Sequence, residues 1–295
     1  MQFLAYVLAY PFIWLISLLP FRVLYILSDF VYVLIYYIVG YRKKIVRKNF
    51  ELCLPHLSAQ EKKKVEKQFY HHFCDSFVEM VKTLNISDKE IKKRFVFTNF
   101  EVIHELEETG KSTVVLIGHY ASYEWLLLMH KYLKKQVGFG IYKPIKNKYF
   151  DRLVRKIRGK FGAELIGMRQ VIPQMRQNIR NGKQGAYGFI TDQSPRLNTE
   201  AHWCTFFGME VPVHVGGEML SKKIGLNMAY ARIEKVKRGY YQCTFIPVEG
   251  DLKAIPNFEV TDRFMLMLEE QIKQAPQYYL WTHNRFKHRK NDPVL

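Results

Sequence analysis

The residues best suited to chemistry are His119 and Glu124, set in the stretch Ser112-Thr113-Val114-Val115-Leu116-Ile117-Gly118-His119-Tyr120-Ala121-Ser122-Tyr123-Glu124-Trp125. A carboxylate on one imidazole nitrogen fixes the tautomer and leaves the other nitrogen free to take a proton from a hydroxyl. Such a dyad activates a hydroxyl for acyl transfer with no nucleophilic serine or cysteine. The spacing restricts where it can work. Five residues along a continuous helix turn by about 500°, leaving the two side chains roughly 140° apart. With His119 in a turn and Glu124 in the first turn of the following helix they can meet, and the helix dipole there favours the ionised carboxylate. The chain has 10 histidines, and the same spacing recurs at His56 and Glu61. There Ser58-Ala59-Gln60-Glu61 has the form of a capping box, which occupies Glu61 structurally. The competing reading of His119 and Glu124 is a hydrogen-bonded histidine at a strand end.

The elements around this pair supply the turn. Ser112–Ile117 carries no charge and reads as a strand buried on both faces, ended by Gly118. Tyr123–Lys135 reads as the helix that follows. In open α/β sheets, that strand-to-helix turn is where ligands bind. Further strands are expected at Val137–Tyr142, Glu164–Ile166, Ala186–Thr191, Asn227–Ile233 and Tyr241–Val248, and helices at Lys148–Lys160, Val171–Arg180 and His214–Lys223. This alternation predicts an α/β fold, a central mixed β-sheet flanked by helices. Upstream, Ser58–Leu84 reads as a capped helix with its apolar stripe at Val65, Phe69, Phe73 and Phe77. Its adjacent His71 and His72 point about 100° apart, which makes them poor joint metal ligands and predicts a partly exposed pair. Asn85–Arg94 reads as a connector.

Polar groups cluster at the predicted strand ends. Tyr142-Lys143-Pro144 with Asn147 closes the second strand, and Asp192-Gln193 closes Ala186–Thr191. Asp151, Arg155 and Arg158 share one face of the helix between. The tail from Trp281 to Lys290 is basic and aromatic; it is expected to be a solvated face or one drawn to anionic lipid.

Composition narrows the partners. The 295 residues hold 45 Lys plus Arg against 27 Asp plus Glu, a net charge of +18, which points to an anionic partner. Arg22 and Asp29 are the charges among the first 39 residues, and no cleavage site follows a short apolar core. Pro11 and Pro20 interrupt the first apolar run, Phe30–Val39 forms a second, and Arg42, Lys43, Lys44, Arg47 and Lys48 follow. An N-terminal hydrophobic membrane-anchor helix is expected, spanning or lying in the interface, with the basic run on the cytoplasmic side. The expected organisation is an anchor over 1–40, a basic helical segment over 41–98 and the α/β domain over 99–295, with 41–295 forming one unit. The four cysteines lack zinc or CxxC spacing and read as reduced thiols. No metal site is expected. No Walker A motif or full dinucleotide fingerprint occurs, and no zinc-finger, RRM or homeodomain pattern supports a nucleic-acid partner.

Taken in order, these segments resemble the bacterial lipid A late acyltransferases, the lauroyl and myristoyl transferases of the lysophospholipid acyltransferase superfamily. The resemblance runs from Leu18-Leu19-Pro20 and Asn49 through His119-x4-Glu124, Tyr142-Lys143-Pro144-x2-Asn147, Arg158, Thr191-Asp192-Gln193 and Phe206-Phe207-Gly208 to Tyr279-Leu280-Trp281-x-His283-x-Arg285-Phe286-Lys287. It implies an enzyme at the cytoplasmic face of the bacterial inner membrane. That enzyme would move a fatty acyl chain from acyl carrier protein, its co-substrate, to a hydroxyl of a lipid A precursor, with no other cofactor. It implies His119 as base and Glu124 as its partner, with Arg158, Tyr142, Lys143, Asn147 and Asp192 toward substrate. Lys143 departs from the arginine common in the family, and lysine loses bidentate recognition. Two alternatives stay open: acylation of a lysophospholipid or another glycolipid, and a catalytically silent, membrane-anchored protein that binds lipid or carrier protein.

Overall fold

A computed structural model describes residues 2–196 and 201–290. Its strands are β1 (Phe95–Phe97), β2 (Thr113–Ile117), β3 (Val137–Tyr142), β4 (Glu164–Gly167), β5 (Gly185–Ile190), β6 (His202–Phe206), β7 (Met209–Val213), β8 (Asn227–Lys237) and β9 (Tyr240–Pro247). Its α-helices are α1 (Gln2–Leu18), α2 (Phe21–Val33), α3 (Lys43–Cys53), α4 (Ala59–Lys82), α5 (Asp88–Arg94), α6 (Glu101–Glu108), α7 (Lys148–Arg158), α8 (Val171–Arg180), α9 (Gly216–Ile224) and α10 (Glu259–Gln274).

Seven strands form one sheet in the order β1-β9-β8-β2-β5-β3-β4, and β6 with β7 makes a separate antiparallel hairpin. Every neighbouring pair in the large sheet is parallel except β8 with β9. The expected mixed α/β sheet is therefore present. β2 lies at its centre with all five residues buried, as its uncharged sequence requires. The capping box is also present: Ser58 accepts from the Glu61 amide while the Glu61 carboxylate accepts from the Ser58 amide.

Several expectations need correction. The segment after His119 is a 3₁₀ helix, Tyr123–Lys131, rather than an α-helix to Lys135. Pro11 sits inside α1 without ending it, and α2 continues as a π-helical stretch, Leu34–Val39, so that Phe21–Val39 is one apolar helical run. Asn85–Arg94 is not a plain connector, since Ser87 caps α5 within it. His72 is buried, because α4 presses that face against β8 and the 3₁₀ turn Pro276–Tyr278; His71 stays half-exposed.

The Phe21–Val39 run and α4 are joined through buried polar groups. Ser28 Oγ donates to Asp75 at 2.8 Å, Tyr25 to Glu79 at 2.8 Å, and Tyr36 to Glu66 at 2.9 Å. Asp75 also accepts from Arg238 Nη2 at 2.7 Å and lies 3.6 Å from Lys235 Nζ. Burial alone would raise the Asp75 carboxyl; hydrogen bonds from His71 and Arg238 and the Lys235 charge outweigh it and hold it well below the carboxylate range. Removing it takes the carboxylate from the buried side chain of Lys235 and leaves Arg238 with Asp29 as its remaining ion-pair partner. Asp75→Ala is therefore expected to lower stability by about 3 kcal/mol or more, read as a shift in the denaturant midpoint in detergent, with Asp75→Asn less damaging.

Candidate active site

The parallel register of β2 and β5 builds the site. Ile117 pairs with Ile190, so His119 and Asp192 each stand two residues past a paired position on adjacent strands. His119 Nδ1 lies 2.7 Å from Asp192 Oδ1. A buried carboxylate only accepts, so Nδ1 carries the proton and Nε2 carries the lone pair. Gln193 Nε2, 3.2 Å from His119 Nε2, donates to that lone pair. The Tyr123 ring meets the imidazole edge to face at 5.0 Å. Burial pushes the Asp192 carboxyl up, but the charge and hydrogen bond of His119, with the Arg285 charge, bring it below its ordinary value. The carboxylate that orients His119 is thus Asp192.

Glu124 lies elsewhere, and the expected direct His119–Glu124 contact is corrected. Arg158 takes it in a bidentate pair, Nε to Oε2 at 2.8 Å and Nη2 to Oε1 at 2.5 Å. The reason is local. A 3₁₀ turn places Glu124 toward the end of α7, where Arg158 waits. Burial works against the Arg158 charge, and the Glu124 contacts more than offset it. Two of the residues expected to face substrate make contacts that fix α7. Asn147 caps it, accepting from the Tyr149 amide at 3.0 Å, and the Tyr142 hydroxyl donates to Asp151 at 3.3 Å. Lys143 is exposed beyond β3.

The turn between His119 and Glu124 is held from outside. Ala121 has φ +50°, a strained conformation for a residue with a Cβ. Its amide donates to Tyr278 O at 2.9 Å. Tyr120 bridges Tyr279, and the Leu280 amide donates to His119 O at 3.1 Å. The tail is consequently part of the site and not a solvated face: Trp281, Arg285 and Phe286 are buried. Asn49 on α3 anchors it, donating to Trp281 O and His283 O, and Arg42 donates to Thr282 O. Sequence reasoning missed Asn49 as a tether and the buried tail. The aromatic content of Tyr278–Phe286 was the available signal.

Among the described residues, Asp29, His71 and Asp75 could bring ligand atoms within 4.8 Å of one another. Arg238 already occupies both carboxylates, which makes this an ion-pair network rather than a metal centre. The four cysteines are free and buried.

His283 supports the Asp192 loop, because its neutral Nε2 accepts from the Ser194 amide at 3.3 Å. Burial lowers its pKa from 6.5 to about 4. The unfolded chain then binds this proton more readily, so the contribution to stability is full above pH 6.5 and is lost as pH falls toward 4. Over that window the wild type is expected to lose stability relative to His283→Gln, measured by paired thermal melts.

A family model described as bacterial lipid A biosynthesis acyltransferase matches residues 2–288. The chain is 26% identical over 281 residues to the lipid A biosynthesis lauroyltransferase of Escherichia coli (strain K12), covering 94% of this chain and 89% of that one. It is 24% identical over 286 residues to the palmitoleoyltransferase of the same strain, with the same coverage. A lipid A biosynthesis acyltransferase of Haemophilus influenzae is 24% identical over 260 residues, covering 85% of this chain and 79% of that one. With the mixed sheet and the histidine at its strand-end turn in place, the chain belongs to the bacterial lipid A biosynthesis acyltransferase family.

Proposed function

We propose that this protein transfers a fatty acyl chain from acyl carrier protein to a hydroxyl of a lipid A precursor at the cytoplasmic face of the inner membrane. The observation that carries the reading is His119, with Nδ1 locked on Asp192 and Nε2 carrying the lone pair. In the proposed step, His119 Nε2 takes the acceptor proton as the hydroxyl oxygen forms a bond to the thioester carbonyl carbon. The tetrahedral intermediate then collapses, the C–S bond breaks, and the imidazolium returns the proton to the departing thiolate. Asp192 stabilises the imidazolium between the two transfers. The oxyanion needs donors, and the first amides of the 3₁₀ helix at Tyr123 have no partner within the helix. Gln193 must yield its contact with Nε2 when the acceptor hydroxyl arrives.

The Glu124–Arg158 pair has a separate role. The fork keeps the guanidinium in place at the mouth with N–H groups to spare for an anionic group of either substrate. The basic balance of the chain favours an acidic carrier protein and a phosphorylated lipid over a neutral donor.

The test uses purified full-length enzyme with acyl carrier protein charged with a labelled chain, and acyl-CoA in parallel. Lipid A precursors and lysophospholipids serve as acceptors. Product on lysophospholipid alone would move the acceptor assignment. His119→Ala is expected to cost 10²–10⁴-fold in turnover, and Asp192→Asn to fall in the same range with substrate affinity preserved. Full activity of a folded His119→Ala would remove the imidazole from the mechanism, and no product from the wild type with any donor and acceptor would leave a binding protein instead.

Glu124→Gln and Arg158→Lys should each cost about tenfold or more, since lysine cannot replace the fork. Because they act as one unit, the double variant should be little worse than either single. Independent, additive losses would assign Glu124 a role apart from Arg158.

A further inference from the structure

We infer that α1 and the Phe21–Val39 helical run lie flat in one leaflet of an anionic bilayer and that neither crosses it. The inference refines the membrane association within the proposed function. By length and composition alone, Phe21–Val39 could cross. Its contacts say otherwise. Tyr25, Ser28, Asp29 and Tyr36, spread over three turns, bond to Glu79, Asp75, Arg238 and Glu66 of the main body. Crossing would drag α4 with it, and its Lys62, Lys63, Lys64 and Lys67 would enter hydrocarbon.

α1 is tied at both ends to that same body. Near its start, Asn147 Nδ2 reaches Gln2 O at 3.5 Å, and Tyr6 packs on Tyr149 and Phe150 of α7. At its far end, Lys82 Nζ donates to Ser17 O at 2.9 Å. A helix of roughly 25 Å whose two ends touch polar groups of one domain runs along that domain. A spanning helix would carry one end across about 30 Å of hydrocarbon.

The faces turned away from the body are apolar. Leu4, Leu8 and Phe12 on α1, and Ile26, Phe30 and Ile38 on the second run, are each at least 61% exposed. Charge identifies the occupant as an anionic lipid leaflet rather than a second copy. Exposed basic groups stand at both ends of the second run, Arg22 at one and Arg42 and Lys44 at the other. A crossing helix would leave Arg22 on the side opposite the Arg42 and Lys44 end, whereas an in-plane helix sets both ends among anionic headgroups. Trp14, Tyr37 and Tyr41 are exposed beside them. Since α1 packs on α7, which ends in Arg158, the leaflet surface runs beside the catalytic mouth.

The test is topology labelling of the full-length protein in its membrane. The native cysteines are buried, so Gln2→Cys, Arg22→Cys and Lys44→Cys report separately to a membrane-impermeant maleimide. All three are expected to react in inverted inner-membrane vesicles, or only once detergent is added, and none in intact spheroplasts. Reaction from the outside at Gln2 alone, at Arg22 alone or at both would reveal a crossing and overturn the inference. In a second arm, purified protein is floated with phosphatidylglycerol–phosphatidylethanolamine vesicles. The Phe12→Lys/Phe30→Lys variant should lose about tenfold or more of its binding. Vesicle binding unchanged by the variant, or a dimer that dissociates with the variant and ignores vesicles, would also overturn it. Acyl transfer in detergent is assayed alongside, so a failed topology with intact activity leaves the proposed function standing.

Discussion

The alignment of β2 with β5 is the constraint on which the site depends. Parallel strands advance about 3.3 Å per residue with side chains alternating between faces. His119 meets Asp192 because the same count of residues separates each from the Ile117–Ile190 pair. A slip of one residue would turn one partner to the opposite face. The burial of β2 on both sides enforces that register, because each of its side chains has a fixed place in the core. Hydrophobic packing at the centre of the sheet thereby sets a hydrogen bond at its edge.

Two side-chain pairs divide the labour there. His119–Asp192 sits deep, where the carboxylate is 1% exposed and its charge is felt with little screening. Glu124–Arg158 is closer to solvent and holds a cation at the mouth. Had Glu124 oriented the imidazole, Arg158 would have lacked its anchor and Asp192 would have been an unpaired buried charge. The observed arrangement satisfies all four groups, and the strain at Ala121 is held by the hydrogen bond its amide donates to Tyr278 O.

The sequence disclosed what depends on local pattern. The inner strands, the cap at Ser58, α8 over Val171–Arg180 and the place of His119 in a turn at a strand end follow from periodicity and turn chemistry. Even Asp192 stood out as a polar group at a strand end. What escaped depends on distance in sequence: which acid meets His119 is decided across 73 residues, and the tail's place on α3 across more than 230. The tail carried charge, which argued for solvent, yet the Arg285 guanidinium is buried and donates to Pro212 O. The hairpin β6–β7 and helix α10 were likewise passed over, because their apolar positions are interrupted by polar groups that find partners only in the fold: His202 with Asp262, and Glu269 with the Phe207 amide.

The tether from Asn49 to the Trp281 and His283 carbonyls also orders events in time. A chain is made from its N-terminus, and its parts fold as they emerge. The apolar helices α1 and α2 leave the ribosome first, while the segment that clamps His119 and Ala121 is among the last to be made. The N-terminal helices are therefore available before the imidazole is locked in place. The turn at His119 can be closed only when the last part of the chain has been made.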